Sequence, residues 1–255
     1  MTNSNKYLES KKYMIDHFKE LGSLKNDFRI YNLTTLIASK VKGDKVLDIG
    51  CGNGFLLGIL SKKGIETFGI EPNKDLIKLA KNTNPRLKIF EGYAHDIDKI
   101  KHKVDTITII DVLEHIEDDK LQIKRMHNHL NESGRLIIVV PAFQLLYGKR
   151  DENLGHYRRY SKKEIIQKLS KIGFKIHHIR YWNMLGFFPY LFYEKILKKE
   201  LNTELRTEKK KGIFKKLLSN LLFFWFKYIE NNFSLGFGLS LVCVAEKTRK
   251  NNFRS

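Results

Sequence analysis

Three glycines at alternate positions, Gly50, Gly52 and Gly54, follow a short apolar segment near the start of the chain. A glycine-rich loop turns sharply and lets the backbone come close to a ligand, because no Cβ stands between them. Asp48 lies just before the loop, and the apolar residues 55–57 after it begin a helical pattern. The arrangement predicts a binding loop for a nucleotide-type cofactor, placed between a buried strand and a helix.

An acidic residue, Glu71, ends the second apolar segment and is followed by Pro72 and Asn73, which are typical of a turn. A carboxylate at the end of this strand can accept hydrogen bonds from both ribose hydroxyls of a nucleoside. The alternative is a solvated carboxylate that binds no ligand. The glycine loop upstream favours the ribose-binding interpretation.

Two groups of residues suited to acid–base chemistry come later in the chain. Asp111, Glu114 and His115 are spaced at i, i+3 and i+4, so they share one face if a helix begins near Asp111. The second group lies in residues 141–160, a long connection after the predicted fifth strand that is expected to cover a ligand crevice. Its chemically able members are Asp151, His156, Tyr157, Arg158, Arg159 and Tyr160.

Two mechanisms are compatible with these groups. In one, His115 or His156 is a general base that takes a proton from the acceptor. In the other, Glu114, His115 and His156, with Asp111 as a further ligand, hold a divalent metal that acidifies an acceptor hydroxyl. Glu114 and His115 are also compatible with a purely structural role.

The 141–160 connection contains two consecutive arginines. Arg158 and Arg159 either clamp a phosphate or carboxylate of the acceptor or pair with acids such as Asp151. With Tyr157 beside it, Arg158 joins Glu114, His115 and His156 among the candidate catalytic residues.

Strand and helix patterns alternate through most of the chain, which predicts a parallel sheet covered on both faces. Residues 6–41 predict two helices before the sheet. Strands are predicted at 45–49, 66–70, 87–91, 106–110, 135–140, 174–181 and 239–245, with helices at 55–62, 74–81, about 118–130 and 161–171. The fold class is therefore α/β, a doubly wound, seven-stranded, mainly parallel sheet.

The composition gives 47 basic and 28 acidic residues, a formal net charge of +19. This charge favours an anionic partner such as nucleic acid, a phospholipid surface or a phosphorylated substrate, although lysines on solvated helix faces explain it equally well. Cys51 and Cys243 fit no metal or redox spacing and are expected to be reduced packing residues. No signal peptide or uninterrupted spanning segment is recognisable, so the protein is expected to be cytoplasmic.

Residues 182–233 interrupt the alternating pattern with a segment rich in Phe, Tyr, Trp, Leu and Lys. Helices are predicted at 190–199 and 213–228, with apolar side chains on more than one face. The segment is compatible with a lid over the substrate, a subunit contact, or a basic amphipathic surface for the inner face of the membrane. Aromatic and lysine side chains can also stack nucleobases, but no RNA-binding module accompanies them, so nucleic acid is disfavoured.

The motifs, taken together and in order, resemble those of the class I S-adenosylmethionine-dependent methyltransferases. The alternate-glycine loop 48–54 and Glu71 are similar to that family's first two motifs. Residues 104–116 are similar to its fourth strand and following turn, and residues 130–141 to its fifth-strand segment. The resemblance covers about residues 40–180 and implies a Rossmann-like methyltransferase fold.

The resemblance also implies where S-adenosylmethionine would bind and S-adenosylhomocysteine would leave. The glycine loop passes under the methionine part of the cofactor, Glu71 holds the ribose, and Asp111 seats the methionine end. In the adenine-binding turn, Tyr93 occupies the position where the family usually has Asp, and Asp96 comes later. The implied cofactor residues are Asp48, Gly50, Cys51, Gly52, Gly54, Glu71, Pro72, Tyr93, Ala94, Asp96, Asp111 and Val112.

The 141–160 connection resembles a bacterial subgroup of this family that carries a Gly-His-x-Arg-Arg-Tyr motif. The resemblance implies O-methylation of a small molecule, sugar or lipid-linked intermediate, with N-methylation as a variant. A nucleic-acid methyltransferase and a non-catalytic cofactor-binding protein remain the alternatives. The expected organisation is a helical lead-in (1–41), a methyltransferase core (42–181), the helical insertion (182–233), and a last strand with a basic tail (234–255).

Overall fold

The computed structural model describes residues 27–197 and 213–248, with the backbone alone for 213–216. The strands of these residues are β1 (Lys45–Ile49), β2 (Glu66–Glu71), β3 (Lys88–Glu91), β4 (Val104–Ile110), β5 (Leu130–Pro141), β6 (Phe174–Trp182) and β7 (Ser240–Lys247). The α-helices are α1 (Phe28–Lys40), α2 (Phe55–Ser61), α3 (Lys74–Thr83), α4 (Asp119–His129), α5 (Lys149–Leu154), α6 (Lys162–Ile172), α7 (Met184–Leu191) and α8 (Ile213–Phe224). The first predicted helix, residues 198–212 and the basic tail lie outside the described residues.

The strands form one sheet in the order β3-β2-β1-β4-β5-β7-β6. β1 pairs in parallel with both β2 and β4, and β2–β3 and β4–β5 are parallel as well. The central strands are apolar because they are buried on both faces, and Val46, Leu47 and Ile49 are fully buried. The predicted seven-stranded α/β fold is confirmed.

The strand order reverses at β1, where β2 lies on one side and β4 on the other. In an open α/β sheet, ligands bind outside the carboxyl ends of the strands at such a switch point. The glycine loop follows β1 and residues 111–116 follow β4, so the fold brings two of the predicted groups to the ligand-binding edge.

The chain divides into two compact units. The first contains the described residues up to Ser39 together with those of 140–161 and 180–241. The second contains 40–139, 162–179 and the described residues from Val242 onward. The cofactor candidates all belong to the second unit, and the connection after β5 belongs to the first.

Several predicted boundaries differ from the structure. β5 is longer than predicted because it begins at Leu130, immediately after α4. No helix begins near Asp111, which corrects the expectation of a shared helical face: a single 3₁₀ turn covers Leu113–His115 and Ile116 is extended. The late helices also differ, because π-helical turns, Phe192–Ile196 and Trp225–Glu230, follow α7 and α8.

No helix among the described residues is long and apolar enough to cross a membrane. Cys51 and Cys243 are both buried and unbridged, as predicted.

Candidate active site

The glycine loop depends on backbone angles that favour glycine. Gly50, Gly52 and Gly54 have φ values of 72°, 54° and 71°. A Cβ on Gly50 would lie 2.3 Å from Val112 Cγ2, far inside contact distance. The N–H groups of Gly50 and Cys51 both donate to the carbonyl of Ile70, at 2.8 and 3.1 Å. The loop is therefore anchored to the end of β2.

Glu71 is buried at the end of β2 and ties the glycine loop to the next helix. One carboxylate oxygen accepts from the N–H of Gly52 and the other from the N–H of Asn73, both at 2.9 Å. Asn73 in turn caps α3 by accepting from the backbone N–H of Asp75. These contacts orient the Glu71 carboxylate at the end of β2.

Asp48 is a second buried carboxyl group in the same place. Its Oδ1 accepts a hydrogen bond from Thr108 Oγ1 at 2.6 Å, across the β1–β4 pairing. Burial raises the pKa of Asp48 to about 7. The hydrogen bond from Thr108 lowers this pKa and the charge of Glu71 raises it, but both effects are smaller than that of burial. Burial, with the two carboxylates nearby, also raises the pKa of the Cys51 thiol well above its usual range. A cation bound here would favour the ionised form of Asp48, so the pair of carboxyl groups suits a cationic ligand.

The turn after β3 is a 3₁₀ helix, Ala94–Lys99. Asp96 accepts from the N–H of Tyr93 at 2.8 Å and pairs with Lys99 at 3.0 Å, and these contacts lower its pKa. The Tyr93 ring is half exposed and stacks on His95, with centroids 5.6 Å apart. Asp96 thus stabilises its own turn, and the Ala94 carbonyl accepts from Gln122 at 2.8 Å.

The end of β4 contains a non-glycine residue in the left-handed region. Asp111 has a φ of 50°, and its N–H donates to the carbonyl of Val139 at 2.9 Å. Such backbone angles are costly for residues other than glycine and concentrate at functional sites. The following 3₁₀ turn buries Glu114 and leaves His115 partly buried.

The connection after β5, here called the 142–160 loop, is held by a buried carboxylate. Asp151 is fully buried and accepts from His156 Nδ1 at 2.7 Å, from Arg159 Nε at 2.9 Å and from the N–H of Gly148 at 3.0 Å. Burial alone would raise the pKa of Asp151, but the hydrogen bond from His156 and the charge of Arg159 outweigh it and lower the pKa. Asp151 is therefore a stable anion.

A tyrosine of α7 completes this network. The hydroxyl of Tyr190 receives a hydrogen bond from Arg159 Nη2 and donates to Asp151 Oδ2 at 3.2 Å. The guanidinium carbon of Arg159 also lies 4.6 Å from the Tyr190 ring centroid. The pairing of Arg159 with Asp151, one of the two predicted roles for that arginine, is confirmed. We call Asp151, His156, Arg159 and Tyr190 the loop network.

His156 is oriented by contacts on two sides. Its Nδ1 lies 2.7 Å from Asp151 Oδ1, and this contact fixes the orientation of the ring. The Tyr147 hydroxyl donates to the His156 carbonyl at 2.8 Å. Tyr157 is exposed, and the Arg158 guanidinium lies 5.7 Å from its ring centroid.

The structure groups the predicted residues differently in the two units. The glycine loop, Glu71 and the residues after β3 and β4 all lie in the second unit, with Glu114 and His115. His156, Tyr157 and Arg158 lie in the first unit. The metal hypothesis needs Glu114 and His115 of the second unit and His156 of the first, and it stays a prediction.

The sequence alone did not identify three residues that contact the predicted site residues. Thr108 on β4 donates a hydrogen bond to Asp48 on β1. The pattern of apolar and polar residues along a strand does not show which residue of a neighbouring strand a side chain contacts. Tyr147 contacts His156, nine residues away in sequence, and Tyr190 contacts Asp151, 39 residues away. A buried tyrosine in an aromatic-rich segment has no local signature.

A family model described as "Methyltransferase domain" matches residues 22–179, more than half of the chain. The chain belongs to this methyltransferase family. The curated relatives include a ubiquinone biosynthesis O-methyltransferase of Coxiella burnetii, 34% identical over 100 residues. That match covers 38% of this chain and 43% of the relative, so the chain spans less than half the length of that protein.

Solved structures of methyltransferases share the fold of this methyltransferase domain. A TehB-like methyltransferase of Corynebacterium glutamicum superposes with a TM-score of 0.55 at 20% identity, covering 94% of this chain and 98% of that one. The plantazolicin methyltransferase BamL, solved with a triazolic desmethylPZN analogue and SAH, gives a TM-score of 0.60 at 17% identity, covering 96% of each chain.

Proposed function

We propose that this methyltransferase domain transfers a methyl group from S-adenosylmethionine to an oxygen atom of a small molecule, sugar or lipid-linked intermediate. The observation that carries the proposal is the glycine loop anchored on Glu71, with three left-handed glycines and a second buried carboxyl group, Asp48, beneath them. The relative from Coxiella burnetii supports oxygen as the target because its name describes an O-methyltransferase.

The residues of the second unit fit the cofactor. Gly50, Gly52 and Gly54 would let the main chain of the loop approach its methionine part, because each takes the left-handed backbone conformation. Glu71 would bind the ribose. The carboxyl groups of Asp48 and Glu71 favour a cation, and the cofactor is a sulfonium. Asp111 would bind the methionine end, and Tyr93, Ala94 and Asp96 border the adenine side.

The cofactor supplies an electrophilic methyl group on a sulfonium. The protein has to hold the acceptor in line with that group and take the proton of the acceptor hydroxyl. We assign proton removal to His156, whose Nδ1 is held by Asp151 so that Nε2 is the basic nitrogen. The oxygen–carbon bond forms as the sulfur–carbon bond breaks, sulfur keeps the electron pair, and the proton passes to His156. Asp151 is the positioning residue for this base.

Calorimetric titration with S-adenosylmethionine tests the cofactor assignment. We expect saturable binding by the wild-type chain and its loss in Glu71→Ala, while Glu91→Ala at the exposed end of the neighbouring strand binds normally. No binding by the wild type at millimolar cofactor would reject both the enzyme and the cofactor-binding alternative.

Turnover tests the base assignment. A panel of phenols, sugars and prenylated phenols is incubated with the cofactor, and release of S-adenosylhomocysteine is followed. On an acceptor that reacts, His156→Ala should lower the rate roughly 10²- to 10⁴-fold, while cofactor affinity stays unchanged. Full rate in both His156→Ala and His115→Ala would exclude either histidine as the base. Loss of activity on chelation, restored by a divalent metal, would favour the metal mechanism instead.

A further inference from the structure

The late helices of the first unit expose large apolar side chains. Among the described residues, twelve of the eighteen exposed large apolar side chains lie between Leu185 and Phe233. Folded domains rarely keep so many together in water unless the surface binds a partner. The chemistry of this region therefore indicates the kind of partner.

The exposed residues follow helical spacing on two elements. They are Leu185, Phe188, Phe192 and Ile196 on α7 and its π-helical turn, and Leu217, Leu221, Phe224 and Tyr228 on α8 and its π-helical turn. We call these eight residues the apolar helical surface. Ile196 is 65% exposed, Leu217 67% and Leu221 64%, so the part of the chain that the structure describes leaves these side chains largely uncovered.

The opposite faces of the same helices are firmly packed. Phe226 is buried and contacts Trp182 and Phe28, with ring centroids 4.9 and 5.5 Å apart. The buried Glu230 carboxylate accepts from the backbone N–H groups of Asn183 and Met184, at 3.0 and 2.7 Å, so the end of one helical element is bound to the start of the other. The apolar helical surface is therefore the outward face of helices that pack into the protein on their other side.

The charges around this surface select the partner. Between residues 182 and 233 the sequence has ten basic and five acidic residues. The two acids described there, Glu194 and Glu230, are buried, whereas Lys227 is exposed and lies 4.9 Å from the Tyr228 ring centroid. A second copy of this chain would bring the same excess positive charge, and the repulsion disfavours self-association. An anionic phospholipid surface matches both the apolar and the basic character.

We propose that the apolar helical surface docks on the headgroup region of an anionic phospholipid bilayer. Helices of this type lie in the plane of the interface, with apolar side chains inserted and lysines on the phosphates. The inference goes beyond the proposed methyl transfer and does not depend on it. It also links the membrane to the 142–160 loop, because α7 supplies Tyr190 to the loop network.

Co-sedimentation with vesicles tests the inference on the full chain. The vesicles are phosphatidylcholine with and without phosphatidylglycerol. We expect binding to the anionic vesicles, weakened by salt, and at least about tenfold weaker binding by Phe188→Ser/Leu221→Ser. The matched control is Phe90→Ser/Leu121→Ser, which removes exposed side chains of the same types from elsewhere. The control should bind as the wild type does.

Three results would overturn the inference. One is equal vesicle binding by both double variants, and another is equal binding with and without phosphatidylglycerol. The third is a dimer in analytical ultracentrifugation that Phe188→Ser/Leu221→Ser dissociates, since that result assigns the surface to a second copy. Thermal unfolding midpoints establish that the variants fold, and Ile196→Ser/Leu217→Ser provides a second test of the same surface. Loss of cofactor binding in calorimetry would bear on the proposed function alone.

Discussion

The glycine loop is held in place by main-chain groups, whereas the 142–160 loop is held by charged side chains. In the second unit, the N–H groups of Gly50, Cys51 and Gly52 bond to the end of β2, and only Glu71 contributes a side chain. In the first unit, the carboxylate of Asp151 gathers a histidine, an arginine and a tyrosine. The first arrangement needs particular backbone angles, and the second needs particular functional groups, so different substitutions should break each.

The largest effect is expected in the loop network. Asp151→Asn leaves the buried Arg159 without its charged partner, which should cost about 3–5 kcal/mol of unfolding free energy. It should also slow methyl transfer without changing cofactor affinity, because His156 loses its orienting carboxylate. Urea unfolding, calorimetry and turnover measure the three quantities. Glu152→Gln, at an exposed neighbour, is the control; an equal loss there would show that the network has no special role.

The second prediction concerns the buried carboxyl group below the glycine loop. The pKa of Asp48 is about 7 in the folded chain and 3.8 for an ordinary aspartate. The folded state therefore keeps its proton where the unfolded chain has lost it, so the contribution to stability is full below pH 4 and declines as pH rises to 7. The decline is on the order of 4 kcal/mol.

Asp48→Asn should abolish this decline while keeping the acceptor oxygen for Thr108. The difference in unfolding midpoint between the variant and the wild type should therefore grow in favour of the variant from pH 5 to pH 8. A difference independent of pH would show that Asp48 is ionised at an ordinary pKa.

A smaller effect is expected at Gly50. Alanine there must adopt a left-handed backbone at a cost of about 1–2 kcal/mol and pushes against Val112. We expect at least roughly tenfold weaker binding of S-adenosylmethionine, a change of about 1.4 kcal/mol. Gly58→Ala is the control, because it lies in α2 with open space around its Cβ position. Equal affinity for both variants would show that the loop tolerates a side chain and would weaken the cofactor assignment.

The smallest effect is expected from Tyr190→Phe, which removes a hydroxyl that bridges Arg159 and Asp151 but keeps the ring. The loss should be about 1 kcal/mol of unfolding free energy, with unchanged cofactor affinity. Tyr193→Phe changes an exposed ring three residues after Tyr190 and should be neutral. If Tyr190→Phe is as stable as Tyr193→Phe, the Tyr190 hydroxyl of α7 does not contribute to the stability of the loop network.

The same contrast explains how much the sequence predicts. The glycine loop and Glu71 were predicted because their signal is local: glycine spacing, an adjacent apolar strand and an acid at the next strand end. The helix expected near Asp111 was wrong because that residue takes a positive φ, and a helix does not continue through it. The spacing of apolar and polar residues along the sequence does not indicate the φ angle of a single residue.

The loop network was only partly predicted. Asp151, His156 and Arg159 are close in sequence, and their polar character marked them as candidates. Tyr190 is 39 residues from Asp151 and is one of several aromatic residues in its segment, so only the folded chain selects it. Likewise, helical periodicity was visible in residues 182–233, but which face is exposed depends on the packing of Phe226 against Trp182 and Phe28.

Cys51 shows how a methyl donor and a nucleophile can share one loop without reacting. The thiol is buried, and its sulfur lies against Gly69, where even one added carbon would be 2.6 Å away. Burial and two neighbouring carboxyl groups keep the sulfur protonated by raising its pKa, and a protonated thiol is a poor nucleophile. With the proposed cofactor in the loop, the enzyme is thereby protected from alkylating itself.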